Sequence, residues 1–344
     1  MTKKFNKKEY IFKITKHKKN ISIKARLKAP TKKPKQERPQ SENKPNKLYY
    51  NQILDNAFND YSSEILLDLI QKETQIINRT IITKEILSLY DITNDHRKYA
   101  LKILYKTLSE HNILIECYFK TVIIFDKFLI NFAKNPENLE KCKNFFKKKG
   151  EKKEISIIKL MIFIFCCFYI SNQIYNIKSF SLKHILNMNI SNENDKNDIT
   201  YEDLIELTDD IIVYINCDID DVDIYQFIAL YLFDLNKRFN VLIGKNNSIK
   251  QFNDLVIFFG VKLTQNIELL ETLPSLQVLG IVIVCFKLVN ENKNQNEEVN
   301  IFFQEWIDNL VDLIDGYEPK QLAKIIGWFK YYYIPNVYKY QIEK

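Results

Sequence analysis

Glycine is scarce in this 344-residue chain, which contains only six glycines, all at or after Gly150. Loops that cradle phosphate groups need closely spaced glycines, and the nucleophile elbow of hydrolases needs two glycines around its serine. The patterns G-x-G-x-x-G, G-x-x-x-x-G-K and G-x-S-x-G are all absent from the sequence. This argues against the common nucleotide-binding loops and against that class of hydrolase.

Cysteine and histidine are also few, with six and four residues. No two cysteines have C-x-x-C spacing, and no histidine stands at metal-ligand spacing from a cysteine or a second histidine. Most cysteines fall within apolar runs, so we interpret them as small core residues in a reducing compartment. We expect no metal, no cofactor and no enzymatic activity, because no cluster of nucleophile, base and metal ligands stands out. We also expect no secretory signal, since no apolar segment follows the charged start.

The most apolar stretch is LMIFIFCCFYI, from Leu160 to Ile170, which has no charge in a chain that is 27% charged. A membrane-spanning helix needs about 20 apolar residues, and this run is bounded by Lys159 and Ser171. A helix that is apolar on every face and too short to span a membrane is typical of the central helix of a soluble all-α domain. We therefore expect no membrane partner, with an interfacial or re-entrant segment as the alternative.

Positive charge is concentrated at the start of the chain. Residues 1–48 hold 17 Lys/Arg against 3 Asp/Glu, a net charge of +14, which leaves a net charge of −7 on the rest. A segment with so many charges of one sign and four prolines cannot bury enough apolar surface to offset the conformational entropy that it would lose on folding. We expect residues 1–48 to be a disordered basic tail. The alternative is a nuclear-import or nucleic-acid-contacting arm, for which Lys32-Lys33-Pro34-Lys35 is a weak pattern.

Apolar residues recur at helical spacing through most of the remaining chain. One or two helices are predicted between residues 49 and 78. A first group of five follows: a helix carrying Ala100 to Leu108 on one face, then Ile115 to Phe132, the apolar run, Phe180 to Met188 and Tyr201 to Ile215. Residues 131–153 between the second and third of these are predicted to be a basic connector, with seven lysines between Lys141 and Lys153.

The chain then repeats the pattern. Five more helices are predicted at Tyr225 to Leu235, Asp254 to Leu263, Pro274 to Leu288, Phe302 to Ile314 and Pro319 to Tyr333, and the third is again the most apolar. Pro274 and Pro319 stand where a first helical turn tolerates proline. We predict an all-α protein with a helical segment at 49–90 and two successive five-helix units at 91–220 and 221–340.

Several segments together resemble the A/B-type mitotic cyclins. The resemblance rests on Asp91-Ile92-Thr93-Asn94-Asp95-His96-Arg97, Phe125-Asp126-Lys127-Phe128-Leu129, Tyr61-Ser62-Ser63-Glu64-Ile65, Asn172-Gln173-Ile174-Tyr175, Leu273-Pro274-Ser275 and Val337-Tyr338-Lys339-Tyr340. The resemblance covers about Tyr49 to Tyr340. It is specific because it is spread over several segments in the right order and spacing, none of which would be sufficient alone. It implies two consecutive five-helix cyclin folds, an N-terminal cyclin box at 91–220 and a C-terminal cyclin fold at 221–340. It also implies a structural ion pair between Arg97 and Asp126.

The resemblance further implies a regulatory subunit that binds and activates a cyclin-dependent Ser/Thr protein kinase and controls cell-cycle progression, in the nucleus, the cytoplasm or both. In the family, a lysine at the end of helix three and a glutamate in helix five grip the kinase. Those positions hold Ile170 and Thr208 here, and Asp209 or Glu206 could replace Thr208. The kinase-binding residues implied by this alignment are Phe168, Ile170, Asn172, Gln173, Ile174, Tyr175, Thr208 and Asp209.

The substrate-docking patch of mitotic cyclins is altered. Positions that supply a methionine, a leucine, a tryptophan and an acidic residue in the family hold His96, Ala100, Ile103 and Lys106. A lysine there repels basic docking motifs, so we predict that this route of substrate recruitment is lost.

Three interpretations of the function stay open. The chain is a divergent cyclin that packs its kinase through Phe168, Ile170 and Ile174, or a cyclin-fold protein with weakened kinase activation. The third is a cyclin-fold scaffold or transcription-factor-like protein that uses its basic tail to contact nucleic acid. Apart from that tail, nucleic acid is not an expected partner, because the body of the chain is net acidic.

Overall fold

The computed structural model describes residues 64–73, 82–147, 155–175, 181–187, 199–215, 222–242, 247–290, 297–314 and 317–332. The predictions for the tail at 1–48, for the start of the N-terminal helical segment and for the last residues of the chain lie outside them. Within these ranges the regular secondary structure is helical, apart from an isolated bridge between Lys147 and Ile155. The all-α prediction is confirmed.

The helices are named here in chain order. They are α1 (64–73), α2 (Lys84–Leu89), α3 (Asn94–Glu110), α4 (Ile115–Phe132), α5 (Pro136–Phe146), α6 (Ile157–Tyr175), α7 (Leu182–Asn187), α8 (Tyr201–Tyr214), α9 (Ile224–Leu242), α10 (Asn247–Thr264), α11 (Pro274–Asn290), α12 (Glu297–Leu313) and α13 (Pro319–Tyr332). A short 3₁₀ turn, Ile267–Leu269, lies between α10 and α11. We call α3 to α8 the first helical set and α9 to α13 the second.

Side-chain caps determine where two helices of the first set begin. The Thr93 hydroxyl accepts a hydrogen bond from the His96 backbone N–H at 3.2 Å, and His96 Nδ1 accepts one from the Thr93 N–H at 3.3 Å. Thr200 and Asp203 cap α8 in the same reciprocal way. Each pair satisfies backbone donors that a helix N-terminus leaves open. Helices α11 and α13 begin at Pro274 and Pro319, as predicted.

The apolar helix α6 is the core of the first set. It packs against α3, α4, α5 and α8. The ring of Phe163 lies 5.7 Å from that of Phe125, 4.9 Å from that of Phe128 and 5.5 Å from that of Phe146, between ring centroids. Full burial of one such side chain contributes about 1.5 to 3 kcal/mol, so this cluster joins three helices with substantial free energy.

The structure corrects the length argument made for this helix. α6 has 19 residues and, among the described helices, is the one long and apolar enough to cross a membrane. The apolar run is extended by Ile157 and Ile158 before it and by a less apolar turn that ends at Tyr175. The burial of this helix is more informative than its length, because the rest of the protein covers 72% of its 18-residue apolar stretch. Such cover is typical of a core helix.

In the second set, α11 occupies the corresponding position and packs against α9, α10 and α13. One of the six glycines makes this packing possible. A Cβ at Gly280 would lie 2.7 Å from Ile325 Cγ2 of α13, so α11 and α13 approach more closely than any other residue would allow. The two sets thus share one design, in which neighbouring helices surround an apolar helix.

The prediction of a basic connector at 131–153 is wrong for part of its length. Residues Pro136–Phe146 form α5, which begins at an Asn135 side-chain cap and a proline in its first turn. Cys142 and Phe146 are buried against the first set, whereas Lys141 is exposed. The helix is therefore amphipathic. It contains only two of the seven lysines, and the lysine-rich sequence that follows it up to Lys153 concealed its apolar positions.

Candidate partner-binding surface

A buried ion pair joins α3 to α4. Arg97 is fully buried, and its Nη2 and Nε atoms donate hydrogen bonds to the two carboxylate oxygens of Asp126 at 2.6 and 3.1 Å. This two-point geometry is the strong form of an arginine–carboxylate contact. Burial raises the pKa of the Asp126 carboxyl, and the neighbouring Arg97 guanidinium opposes that shift.

The same arginine reaches the second set, which sequence reasoning missed. Arg97 Nη1 donates a hydrogen bond to the backbone carbonyl of Thr264 at 2.6 Å, at the C-terminus of α10. Carbonyls in the last turn of a helix have no partner within the helix and carry partial negative charge. Tyr118 of α4 adds a second link, since its hydroxyl lies 3.1 Å from Thr264 Oγ1. These contacts fix the first set against the second.

Four of the predicted kinase-binding residues are buried. Phe168 is 0% exposed, Ile170 6%, Asn172 1% and Thr208 5%. The Thr208 hydroxyl donates a hydrogen bond to the Leu204 carbonyl of its own helix at 2.7 Å, so it is directed inward. The resemblance assigned these residues to positions along the chain, but it did not show which side of each helix they occupy. In this conformation their side chains are part of the core and do not form a surface open to a partner.

The other four predicted residues lie at or near the surface. Gln173 and Asp209 are exposed, Tyr175 is half-buried, and Ile174 exposes 43% of its surface at the end of α6. α6 packs directly against α8, the helix that carries Asp209. The exposed members of the predicted set therefore lie at the C-terminal turn of α6 and on the outer side of α8.

A further set of exposed residues on α8 was not predicted. Ile205 and Val213 are 41% and 64% exposed, and Glu202 and Asp209 are exposed on the same side of the helix by their spacing of three or four residues. We call Glu202, Ile205, Asp209 and Val213 the α8 stripe. The sequence did contain a signal for this surface. Leu204, Thr208 and Ile211 follow one another at a spacing of three or four residues and form the buried side of the helix, and Ile205 and Val213 fall outside that series.

Buried ionisable groups support the end of α6 from below. Tyr225 of α9 donates a hydrogen bond to Glu116 Oε1 at 3.0 Å, and Lys120 Nζ lies 3.9 Å from Asp223 Oδ2. Burial raises the pKa of both Glu116 and Asp223. Burial, together with the negative charge of Asp223 and Glu116, also raises the pKa of the Tyr175 hydroxyl. Polar residues beneath this surface thus come from both helical sets.

The altered docking patch does not form one open apolar surface. Ala100 is 1% exposed, and His96 is half-buried in the N-terminal cap of α3. Ile103 is half-buried, and Lys106 is exposed with its Nζ atom 3.7 Å from Glu110 Oε1. The loss of docking at these residues stays a prediction. Within the described ranges, no group of three or more His, Cys, Asp or Glu residues is placed to hold a metal ion.

Comparisons with known proteins place the chain far from them in sequence. It matches none of the family models and none of the curated proteins with which it was compared. Among solved structures it is similar to the X-ray structure of a viral cyclin from herpesvirus saimiri, with a TM-score of 0.46 and 13% identity over 75% of this chain and 96% of that chain. A likeness this distant leaves the function to be inferred from the chain's own residues and packing.

Proposed function

We propose that this protein is a regulatory subunit that binds and activates a cyclin-dependent Ser/Thr protein kinase in cell-cycle progression, in the nucleus, the cytoplasm or both. It has no enzymatic activity of its own in this proposal. Support comes from the distributed resemblance in sequence and from the two helical sets, each organised around an apolar helix. The buried pair of Arg97 and Asp126 stands at the positions that the resemblance assigns to it.

One observation carries the proposal: large apolar side chains are exposed on the two helices to which the resemblance assigns the kinase contact. Ile174 lies at the end of α6, and Ile205 and Val213 lie on α8, which packs against α6. Single exposed apolar residues are common, but several on two adjoining helices are typical of a surface that a partner covers. The α8 stripe also carries Glu202 and Asp209, which can accept hydrogen bonds from a partner.

The expected mechanism is a shift in the population of the kinase's conformations. A protein kinase is active when its αC helix is turned inward, because a Lys–Glu pair and the magnesium-binding Asp then adopt catalytic geometry. A partner that contacts only the inward arrangement stabilises it by the difference between its affinities for the two states. In this proposal, Ile174 and the α8 stripe make those contacts mainly by apolar packing.

The second candidate function is a cyclin-fold scaffold or transcription-factor-like protein that does not activate a kinase. The observation that favours this candidate is the lack of a charged residue at the two positions that hold the kinase in the family. Ile170 and Thr208 occupy the positions of the family's lysine and glutamate, and both are buried and uncharged. Charge-assisted hydrogen bonds contribute about 1.5 to 3 kcal/mol each. Their loss weakens any hold on a kinase helix unless apolar contacts compensate.

Co-purification separates the two candidates. The tagged protein is isolated from its native cells, its bound proteins are identified, and the complex is assayed on a generic Ser/Thr-Pro substrate. An associated and active kinase supports the first proposal, and an associated but inactive kinase supports the second. Absence of any kinase contradicts the first. Ile170→Asp is unsuitable as a test variant because it places a charge in the core, whereas Ile174→Asp alters an exposed position.

A further inference from the structure

A cleft lies on the first set, on a different side of α8 from the α8 stripe. It has a volume of about 280 Å³ and is bounded by α4, α5, α8 and the first turn of α6. Its floor is apolar and largely aromatic, formed by Phe128, Phe132, Cys142, Phe145, Ile199 and Leu207. The Phe128 and Phe132 rings are stacked at 4.6 Å between centroids. Because Cys142 and Phe145 belong to α5, this helix supplies part of the apolar floor.

The rim of the cleft carries more acidic than basic groups. Asp203, Glu206 and Asp210 of α8 face Lys141 and Lys159 across it. Two of these groups have fixed roles, since Asp203 caps α8 and the Lys159 ammonium donates a hydrogen bond to the Lys147 carbonyl at 3.0 Å. The remaining three form a bridge in which Lys141 Nζ lies 3.3 Å from Glu206 Oε1 and 3.2 Å from Asp210 Oδ2.

That bridge is exposed and easily exchanged. The side chain of Lys141 is 61% exposed and that of Glu206 is 70% exposed. Exposed pairs of this kind contribute little to stability, because water and salt screen them and the long side chains lose freedom in forming them. An incoming cation can therefore take the place of the Lys141 ammonium between two carboxylates that are already held close together.

We propose that this cleft binds a peptide segment in which an aromatic side chain stands next to an arginine or lysine. The ring enters the apolar floor, and the basic group pairs with Glu206 and Asp210 after Lys141 moves aside. Pockets for free small molecules are usually about 300 to 1,000 Å³ and enclose most of the ligand. This cleft is smaller and has an exposed rim, so it takes one side chain while the peptide backbone remains outside. The site does not depend on the proposed kinase partner.

The test is a ¹⁹F NMR titration of the full chain with the peptide Ac-Gly-(4-fluoro-Phe)-Arg-Gly-NH₂. We expect saturable binding that weakens at least two- to fivefold, the range of exposed ion pairs, when glutamate replaces the arginine. Leu207→Trp fills the cleft and should abolish binding. If that variant does not fold, Glu206→Lys replaces it, with an expected loss of about two- to fivefold, the range of exposed ion pairs. Lys141→Ala should tighten binding, because it removes the competing cation.

Glu305→Lys is the matched control for Glu206→Lys. It makes the same change of charge at an exposed position of α12, outside the cleft, and should leave the affinity unchanged. The proposal is overturned if the peptide shows no saturable binding or if Glu305→Lys weakens binding as much as Glu206→Lys. Equal affinity for 4-fluorophenethylamine alone would also overturn it, since the cleft would then select a free amine and not a peptide.

Discussion

Replacing Arg97 with methionine is expected to destabilise the whole body of the protein. The change leaves the Asp126 carboxylate buried with its counter-ion removed and takes the Nη1 donor from the Thr264 carbonyl. Removing one partner of a buried ion pair typically costs about 3 to 5 kcal/mol. An unsatisfied buried carbonyl costs about 1 to 3 kcal/mol more, although the two losses do not simply add. We expect the free energy of unfolding to fall by about 4 kcal/mol, a large part of the 5 to 15 kcal/mol of a typical domain.

Urea denaturation followed by circular dichroism measures this loss as a fall in the transition midpoint at an unchanged slope. The double variant Arg97→Met with Asp126→Leu removes both charges and should recover most of the loss, which a double-mutant cycle reports as strong coupling. Lys106→Met is the control, because it removes an exposed cation from the same helix and should cost at most about 1 kcal/mol. A loss below about 1 kcal/mol for Arg97→Met, or additive effects of the two changes, refutes this account of how the sets are joined.

Two further predictions concern the second set. Glu73 of α1 is buried and accepts hydrogen bonds from the Ser275 N–H at 2.9 Å and from the Ser275 hydroxyl; its burial raises its pKa from 4.5 to about 7. The folded state therefore holds this proton more tightly than the unfolded state, and about 3 kcal/mol of stability present below pH 4.5 is lost as the pH rises through 7. Urea midpoints at pH 5 and 8 should differ less in Glu73→Gln than in the wild type, and an equal difference contradicts this assignment. Gly280→Ala should cost about 1 to 3 kcal/mol through overpacking against Ile325, read as a lower thermal midpoint. Ile325→Ala removes the Cγ2 atom that the new Cβ would meet, so Gly280→Ala should cost less in that background than in the wild type.

The elements that could be predicted from the sequence are those whose signal is local. The apolar composition of α6 and α11 is sufficient to place them at the centre of each set, because only burial can accommodate a helix that is apolar on every face. Proline in the first turn located the starts of α11 and α13 for a similarly local reason. In α5, the local signal was present but was obscured by the lysine-rich sequence that follows the helix.

The parts that could not be predicted depend on tertiary packing. The resemblance assigned Ile170 and Thr208 to positions along their helices, but only the packed structure shows that both side chains are buried in the core. The acceptor on Thr264 is a backbone carbonyl, which every residue possesses, so no pattern could single it out. Glu73 and Ser275 are 202 positions apart, and neither has a distinctive neighbour that would indicate their contact.

The most direct test of the proposed function is kinase activity in a reconstituted complex. The kinase that co-purifies with the protein is expressed alone and assayed on a Ser/Thr-Pro substrate with increasing amounts of wild type, Ile174→Asp or Ile301→Asp. Ile301 of α12 is 55% exposed on the second set, so Ile301→Asp matches the chemical change away from the proposed surface. Stimulation by the wild type and by Ile301→Asp, with a loss of at least tenfold for a correctly folded Ile174→Asp, is the result we predict; a factor of ten corresponds to about 1.4 kcal/mol. Equal stimulation by all three proteins, or none by the wild type, contradicts the proposal.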